Sequence, residues 1–121
     1  MSADASPWPT EIRIKTAARV LEVDFDNGEH FALPAELLRV ESPSAEVKGH
    51  GAAQKPPPVA GKRDVALVNA EPVGNYAVRL IFSDGHSSGL FPFDLLYRLG
   101  RTKDEVWAAY LKRLESFGLA R

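Results

Sequence analysis

Residues 82–91 read FSDGHSSGLF. They follow an apolar run, Tyr76 to Phe82, in which Tyr76, Val78, Leu80 and Phe82 share one side of a two-residue period. Asp and Gly accept the backbone angles of tight hairpin turns, so Ser83-Asp84-Gly85 turns the chain and His86 to Leu90 returns it. Pro92 then opens a helix, Phe93 to Leu99, which Gly100 stops. The same order occurs earlier. An alternating run from Arg19 ends in Phe25-Asp26-Asn27-Gly28, His30 to Leu33 returns, and Pro34 opens the short helix Ala35-Glu36-Leu37-Leu38. Each copy closes on a proline-started helix with an acid and a leucine pair, and the second carries one extra residue before its proline. The repetition predicts an α+β fold: a small twisted antiparallel β-sheet of five or six strands with two to three short helices packed on it, built from two ββα units. Chance similarity of two hairpin–helix units is the competing explanation.

Working outward, Glu11-Ile12-Arg13-Ile14-Lys15 alternates like a half-buried strand, and Asp64 to Ala70 gives another. Residues 1–10, with two prolines around Trp8, read as a flexible N-terminus. Residues 44–62, SAEVKGHGAAQKPPPVAGK, read as an exposed, mobile loop. The domain proper then spans 11–100, and 101–121 forms a C-terminal helix packed on it. Thr102-Lys103-Asp104-Glu105 has the spacing of a capping box. Trp107, Tyr110, Leu111 and Leu114 form an apolar stripe, Phe117 lies one turn on, and Gly118 ends the helix.

The 121 residues suit one domain, and 45% hydrophobic with 26% charged residues is an ordinary globular balance. Fifteen basic and 16 acidic side chains leave a net charge of −1, which argues against electrostatic capture of nucleic acid or of an anionic membrane. There is no cysteine, which excludes disulfides, thiolate metal sites and cysteine nucleophiles within this chain. No apolar run approaches the roughly 18 residues of a membrane span. The N-terminus lacks the basic and apolar regions of a signal peptide, so a cytoplasmic location is expected.

The turn Asp84-Gly85-His86 is the candidate functional turn. As an enzyme it would need His86 as base, Asp84 to orient it and Ser88 as nucleophile on the same strand face, with Ser87 pointing away. Such residues are also ordinary turn composition, and no GxSxG elbow is present. A metal site would need His86 to converge with Asp84 and with His30 or His50, none of which is spaced as a ligand pair. The basic residues lie scattered among acids, no phosphate-cradling glycine motif occurs, and the proline triplet at 56–58 is a low-specificity groove binder.

The stretch Glu71 to His86, EPVGNYAVRLIFSDGH, resembles the gamma-butyrobetaine hydroxylase-like N-terminal domain family, DUF971. The family's GNYA segment corresponds to Gly74–Ala77, its F-x-D-G-H turn to Phe82–His86, and its following strand and helix to Gly89–Gly100. Leu37-Leu38-Arg39 matches the end of its first helix. The resemblance covers residues 11–100 and is that of a stand-alone bacterial-type member. It implies a domain that, in iron- and 2-oxoglutarate-dependent hydroxylases, precedes the catalytic barrel and binds zinc through three cysteines and the histidine of the turn. Here the cysteine positions carry Ser42, Ser44 and Val47, and only His86 matches. Serine is a poor zinc ligand and valine is none, so no metal and no cofactor are expected. Similar domains are fused to P-loop iron–sulfur carrier ATPases. The expectation is therefore a non-catalytic accessory or interaction module with a protein partner, either an iron–sulfur carrier or an oxygenase, or a second copy of itself. The alternative is a metal- or small-ligand-binding domain using His86.

Overall fold

The computed structural model describes residues 7–43, 58–87 and 89–121. Both predicted turns are hairpin loops closed by the same two hydrogen bonds. The Phe25 N–H donates to the Glu29 carbonyl at 2.9 Å and the Gly28 N–H to the Phe25 carbonyl at 3.0 Å. The Phe82 N–H donates to the His86 carbonyl and the Gly85 N–H to the Phe82 carbonyl, both at 3.0 Å. Gly28 and Gly85 sit at φ 91° and 92°, where a side chain would be strained. The helix starts repeat as well: the Ala35 N–H donates to the Arg19 carbonyl, and the Phe93 N–H to the Tyr76 carbonyl, each at 2.8 Å.

Each ββα unit gains a strand at its front. The order is β1 (Pro9–Lys15), β2 (Val20–Phe25), β3 (His30–Pro34), α1 (Ala35–Val40), β4 (Leu67–Val73), β5 (Ala77–Phe82), β6 (Gly89–Pro92), α2 (Phe93–Arg101) and α3 (Lys103–Ser116). The arrangement is α+β, with two three-stranded antiparallel sheets, β1-β2-β3 and β4-β5-β6, where one sheet was expected. The reason lies at the facing edges, β1 and β4. Each is broken by an irregularity, between Pro9 and Glu11 and between Leu67 and Asn69. Pro9 and Pro72 also withhold the N–H groups that a joining ladder would need.

The two units close over one core and exchange their helices. Leu21, Val23, Leu33, Leu37 and Leu38 from the first unit meet Leu80, Phe82, Phe91 and Leu96 from the second, each at most 1% exposed. Tyr97, on α2, packs edge-to-face on Phe25 and Phe31 of the first unit. Arg39, at the same distance after its proline on α1, reaches Asp84 of the second unit. The next reciprocal pair sets a glycine against a side chain of the other unit. Gly100 lies against the Phe31 ring, and Gly89 lies against Ser42.

Several local expectations change. Trp8 is tied down, since its carbonyl accepts the Asp26 N–H at 2.8 Å and its own N–H donates to Asp26 Oδ1 at 3.2 Å. The first strand therefore begins inside the segment expected to be flexible. Residues 44–57 of the expected loop lie outside the described residues, whereas its end is packed: Pro58 is buried, and the Val59 carbonyl accepts the Tyr110 hydroxyl at 2.5 Å. Gly100 does not stop α2, which runs to Arg101; the glycine is there for close approach to Phe31. No capping box forms at Thr102, whose hydroxyl instead donates to the Arg98 carbonyl at 2.7 Å because α2 and α3 are nearly continuous. On α3, Tyr110 and Leu114 are buried while Leu111 and Phe117 are exposed, so the stripe is narrower than its spacing suggested. No helix among the described residues is long and apolar enough to cross a membrane.

Candidate functional site

The 82–86 turn, which holds the predicted site residues Asp84, Gly85 and His86, is bonded on several sides. Asp84 follows the Phe82 end of β5, and its side chain is 21% exposed. Its Oδ2 accepts Arg39 Nε at 2.8 Å and pairs with Lys62 Nζ at 2.6 Å. Its Oδ1 accepts the His86 backbone N–H at 3.1 Å. Burial opposes ionisation, but Lys62, the His86 amide and Arg39 outweigh it and hold the carboxyl well below the usual carboxylate range. Ser83 ties the same turn to the chain before β4: its hydroxyl accepts the Ala66 N–H at 2.9 Å and its N–H donates to the Ala66 carbonyl at 2.8 Å.

His86 packs its ring on Phe82, with centroids 5.9 Å apart, and its Nε2 shares a 3.1 Å hydrogen bond with Ser42 Oγ. Asp84 thus contacts the backbone of His86 and not its imidazole, so the acid and base are not arranged as a catalytic pair. Gly89 makes the Ser42 contact possible, because a Cβ there would lie 2.0 Å from Ser42 Oγ. The strand on which His86 and Ser88 were to share a face begins only at Gly89. The extra residue of the second copy falls between His86 and Gly89, which lengthens the return; Ser87 is exposed and Ser88 lies outside the described residues.

His30 is on the outer face of the first sheet, bonded to Asp24, which also holds Arg13. His30 and Arg13 lower the Asp24 pKa against its burial. His50, Ser44 and Val47 lie outside the described residues. Among the described residues no group of three or more His, Cys, Asp and Glu side chains is placed to hold a metal. Among the described residues, the donors that meet at His86 include the Ser42 hydroxyl, and a serine hydroxyl with an imidazole is not by itself the set of strong ligands that zinc takes.

A second feature was not foreseen. A groove of about 320 Å³ runs between the facing edges β1 and β4, lined by Pro9, Ile12, Ala70, Pro72, Val78 and Phe93 and, on its polar side, by Thr10 and Glu11. Trp8 stands edge-on to Phe93, with ring centroids 5.6 Å apart, and is 50% exposed. The sequence placed Trp8 in a frayed end, and only the Asp26 bonds reveal that it is held.

A family model described as gamma-butyrobetaine hydroxylase-like, N-terminal, matches residues 12–97. The chain belongs to this family. Among solved structures similar to it, one determined in solution by NMR is 45% identical, with a TM-score of 0.82, over 97% of this chain and 91% of that one. A second NMR structure is 42% identical at TM-score 0.82, covering 100% of this chain and 89% of the other. A crystal structure of a protein of unknown function of the DUF971 family from Acidithiobacillus ferrooxidans is 43% identical at TM-score 0.65, over 79% of this chain and 98% of that one. No match was found among proteins of curated function. The gamma-butyrobetaine hydroxylase-like N-terminal domain is thus what the GNYA segment and the F-x-D-G-H turn announced. Two positions that the resemblance assigned to one ligand set, Ser42 and His86, do meet in space. Arg39 and Lys62 escaped the sequence reading, and for Arg39 the only signal was its place beside Leu37-Leu38 in the family pattern.

Proposed function

We propose that this domain is a non-catalytic interaction module that docks a partner polypeptide in the groove between β1 and β4. The observation that carries the reading is Trp8. Its backbone is pinned to Asp26 on both sides and its ring stands edge-on to Phe93, yet the side chain is left half-exposed beside a groove of mixed apolar and polar lining, the kind of anchor on which interfaces concentrate their energy. The prolines and irregularities on both edges disfavour strand addition, so the groove takes side chains, with an apolar or aromatic anchor from the partner. The groups that would do chemistry are engaged in holding the 82–86 turn. The module works without zinc or another cofactor, in the cytoplasm.

Family resemblance supplies the partner classes to try: a P-loop iron–sulfur carrier, an iron- and 2-oxoglutarate-dependent oxygenase, and a second copy of the chain. Binding of each purified candidate is measured by calorimetry, and self-association by light scattering over a dilution series. A partner should bind wild type and His86→Ala alike and lose Trp8→Ala. Binding that survives Trp8→Ala but disappears in His86→Ala would transfer the function to the turn. The second reading, a ligand site at His86, has one observation in its favour, the 3.1 Å approach of Ser42 to the imidazole. Metal bound at stoichiometric level by untagged protein and lost in His86→Ala would establish it.

A further inference from the structure

Glu36 is the one charged side chain buried among the described residues, at 7% exposed, and it faces a groove. A carboxylate so far from water is costly unless a cation meets it with good geometry. Arg121 does so as a fork: Nε donates to Oε2 at 3.1 Å and Nη2 to Oε1 at 2.8 Å. Trp107 supplies the third wall, with the guanidinium 5.3 Å from its ring centroid. Planar, bidentate and stacked recognition of this kind selects guanidinium over ammonium. The groove extends past the guanidinium, about 300 Å³ in all, and is also lined by Pro34, Leu37, Lys103 and Asp104. Lys103 is turned to the Ala32 carbonyl at 3.2 Å.

The cradle and its occupant differ in how firmly they are held. Glu36 and Leu37 belong to the core-packed helix α1. Arg121 comes from an exposed segment, 117–121, whose first residues cap α3, with the Leu119 N–H donating to the Leu114 carbonyl at 2.8 Å; beyond Gly118, the bond from the Gly61 N–H to the Ala120 carbonyl at 3.1 Å ties it to the described end of the loop. Its own side chain is 37% exposed. The geometry points to an arginine-recognition site formed by Glu36 and Trp107, occupied in cis by Arg121 and taken over by an arginine of a partner polypeptide that displaces the 117–121 segment. This site is separate from the Trp8 groove and stands whether or not that groove binds anything.

The test uses the full chain, in which Trp8 and Trp107 give two separate indole N–H signals by NMR. Wild type, Arg121→Ala and Glu36→Gln/Arg121→Ala are titrated with a blocked Leu-Arg-Leu peptide, its lysine and citrulline counterparts, and N-acetylarginine amide. Removing the cis occupant should tighten the arginine peptide by about tenfold or more, the penalty for competing with a mostly bound Arg121. The Trp107 signal should move and the Trp8 signal should not. Lysine should bind more weakly, and citrulline and the double variant should show no binding. In wild type, excess arginine peptide should also release the Arg121 Nε–H signal, so the idea is tested even if Arg121→Ala does not fold. An unmoved Arg121 signal in wild type, or equal binding to the Glu36→Gln double variant, would overturn the site. Equal affinity for N-acetylarginine amide and for the peptide would overturn a polypeptide as the source.

Discussion

Replacing Gly100 with alanine puts the exchange of helices to a quantitative test. A Cβ at this position would lie 2.4, 2.5 and 2.8 Å from Cγ, Cδ2 and Cδ1 of Phe31. Carbon atoms rest about 3.5–4.0 Å apart, so the ring or the helix must retreat by about 1 Å. The ring is not free to do so, because Phe25 and Tyr97 each stand edge-on to it with centroids 5.9 Å away. Overpacking of this kind costs about 1–3 kcal/mol. Alanine is favoured over glycine in a helix by about 1 kcal/mol, less near an end, and this partly offsets the loss. The expected net effect is destabilisation by about 1–2 kcal/mol. In a Phe31→Ala background the clash is gone and only the helix preference remains, so the same change should be neutral or stabilising by up to about 1 kcal/mol. Urea unfolding followed by far-UV circular dichroism measures all four proteins. A Gly100→Ala protein as stable as wild type, or the same effect in both backgrounds, would refute the reasoning.

The matching contact predicts a milder response: Gly89→Ala meets chiefly a hydroxyl that can rotate away, so the cost should be about the Ser42–His86 hydrogen bond, 0.5–1.5 kcal/mol, and should shrink in a Ser42→Ala background to what the 3.3 Å contacts with Phe91 Cε1 and the residue-42 Cβ impose. Asp84→Asn, which leaves Arg39 and Lys62 without their shared carboxylate, should cost about 1–3 kcal/mol at neutral pH by urea unfolding. Because the folded-state pKa of Asp84 is depressed, its contribution is whole above its unfolded value of about 3.9 and is lost as pH falls below that toward the folded value. Stability profiles of wild type and Asp84→Asn should therefore converge below about pH 4, and parallel profiles would rule the clamp out.

What the sequence made legible was local. Asn27-Gly28 and Asp84-Gly85 announce their hairpins because a turn's conformation is decided by the residues in it. Gly100 was misread for the opposite reason: it looks like a helix stop, but its cause is an aromatic ring on another unit's strand. Thr102 carries the right spacing for a cap and is diverted by the end of α2, which no pattern inside α3 reveals. Arg39 and Asp84 are 45 residues apart, and Glu36 and Arg121 are 85 apart, so neither pair has a local signature. Ser42 and His86 were brought together only by the family pattern, since a serine and a histidine separated by 44 residues suggest nothing on their own. The split into two sheets was readable in principle from Pro9 and Pro72, prolines that an internal strand would not tolerate.

The proposed partner contact lies on the Trp8 groove, and the 82–86 turn has a structural part. Hydrogen–deuterium exchange of the full chain, with and without a binding partner at saturation, tests this most directly. New protection confined to β1 and to the Ala70–Val78 stretch, with the 82–86 amides unchanged, is the predicted result. Protection that appears first at Asp84, Gly85 and His86 while β1 is unaffected would contradict it.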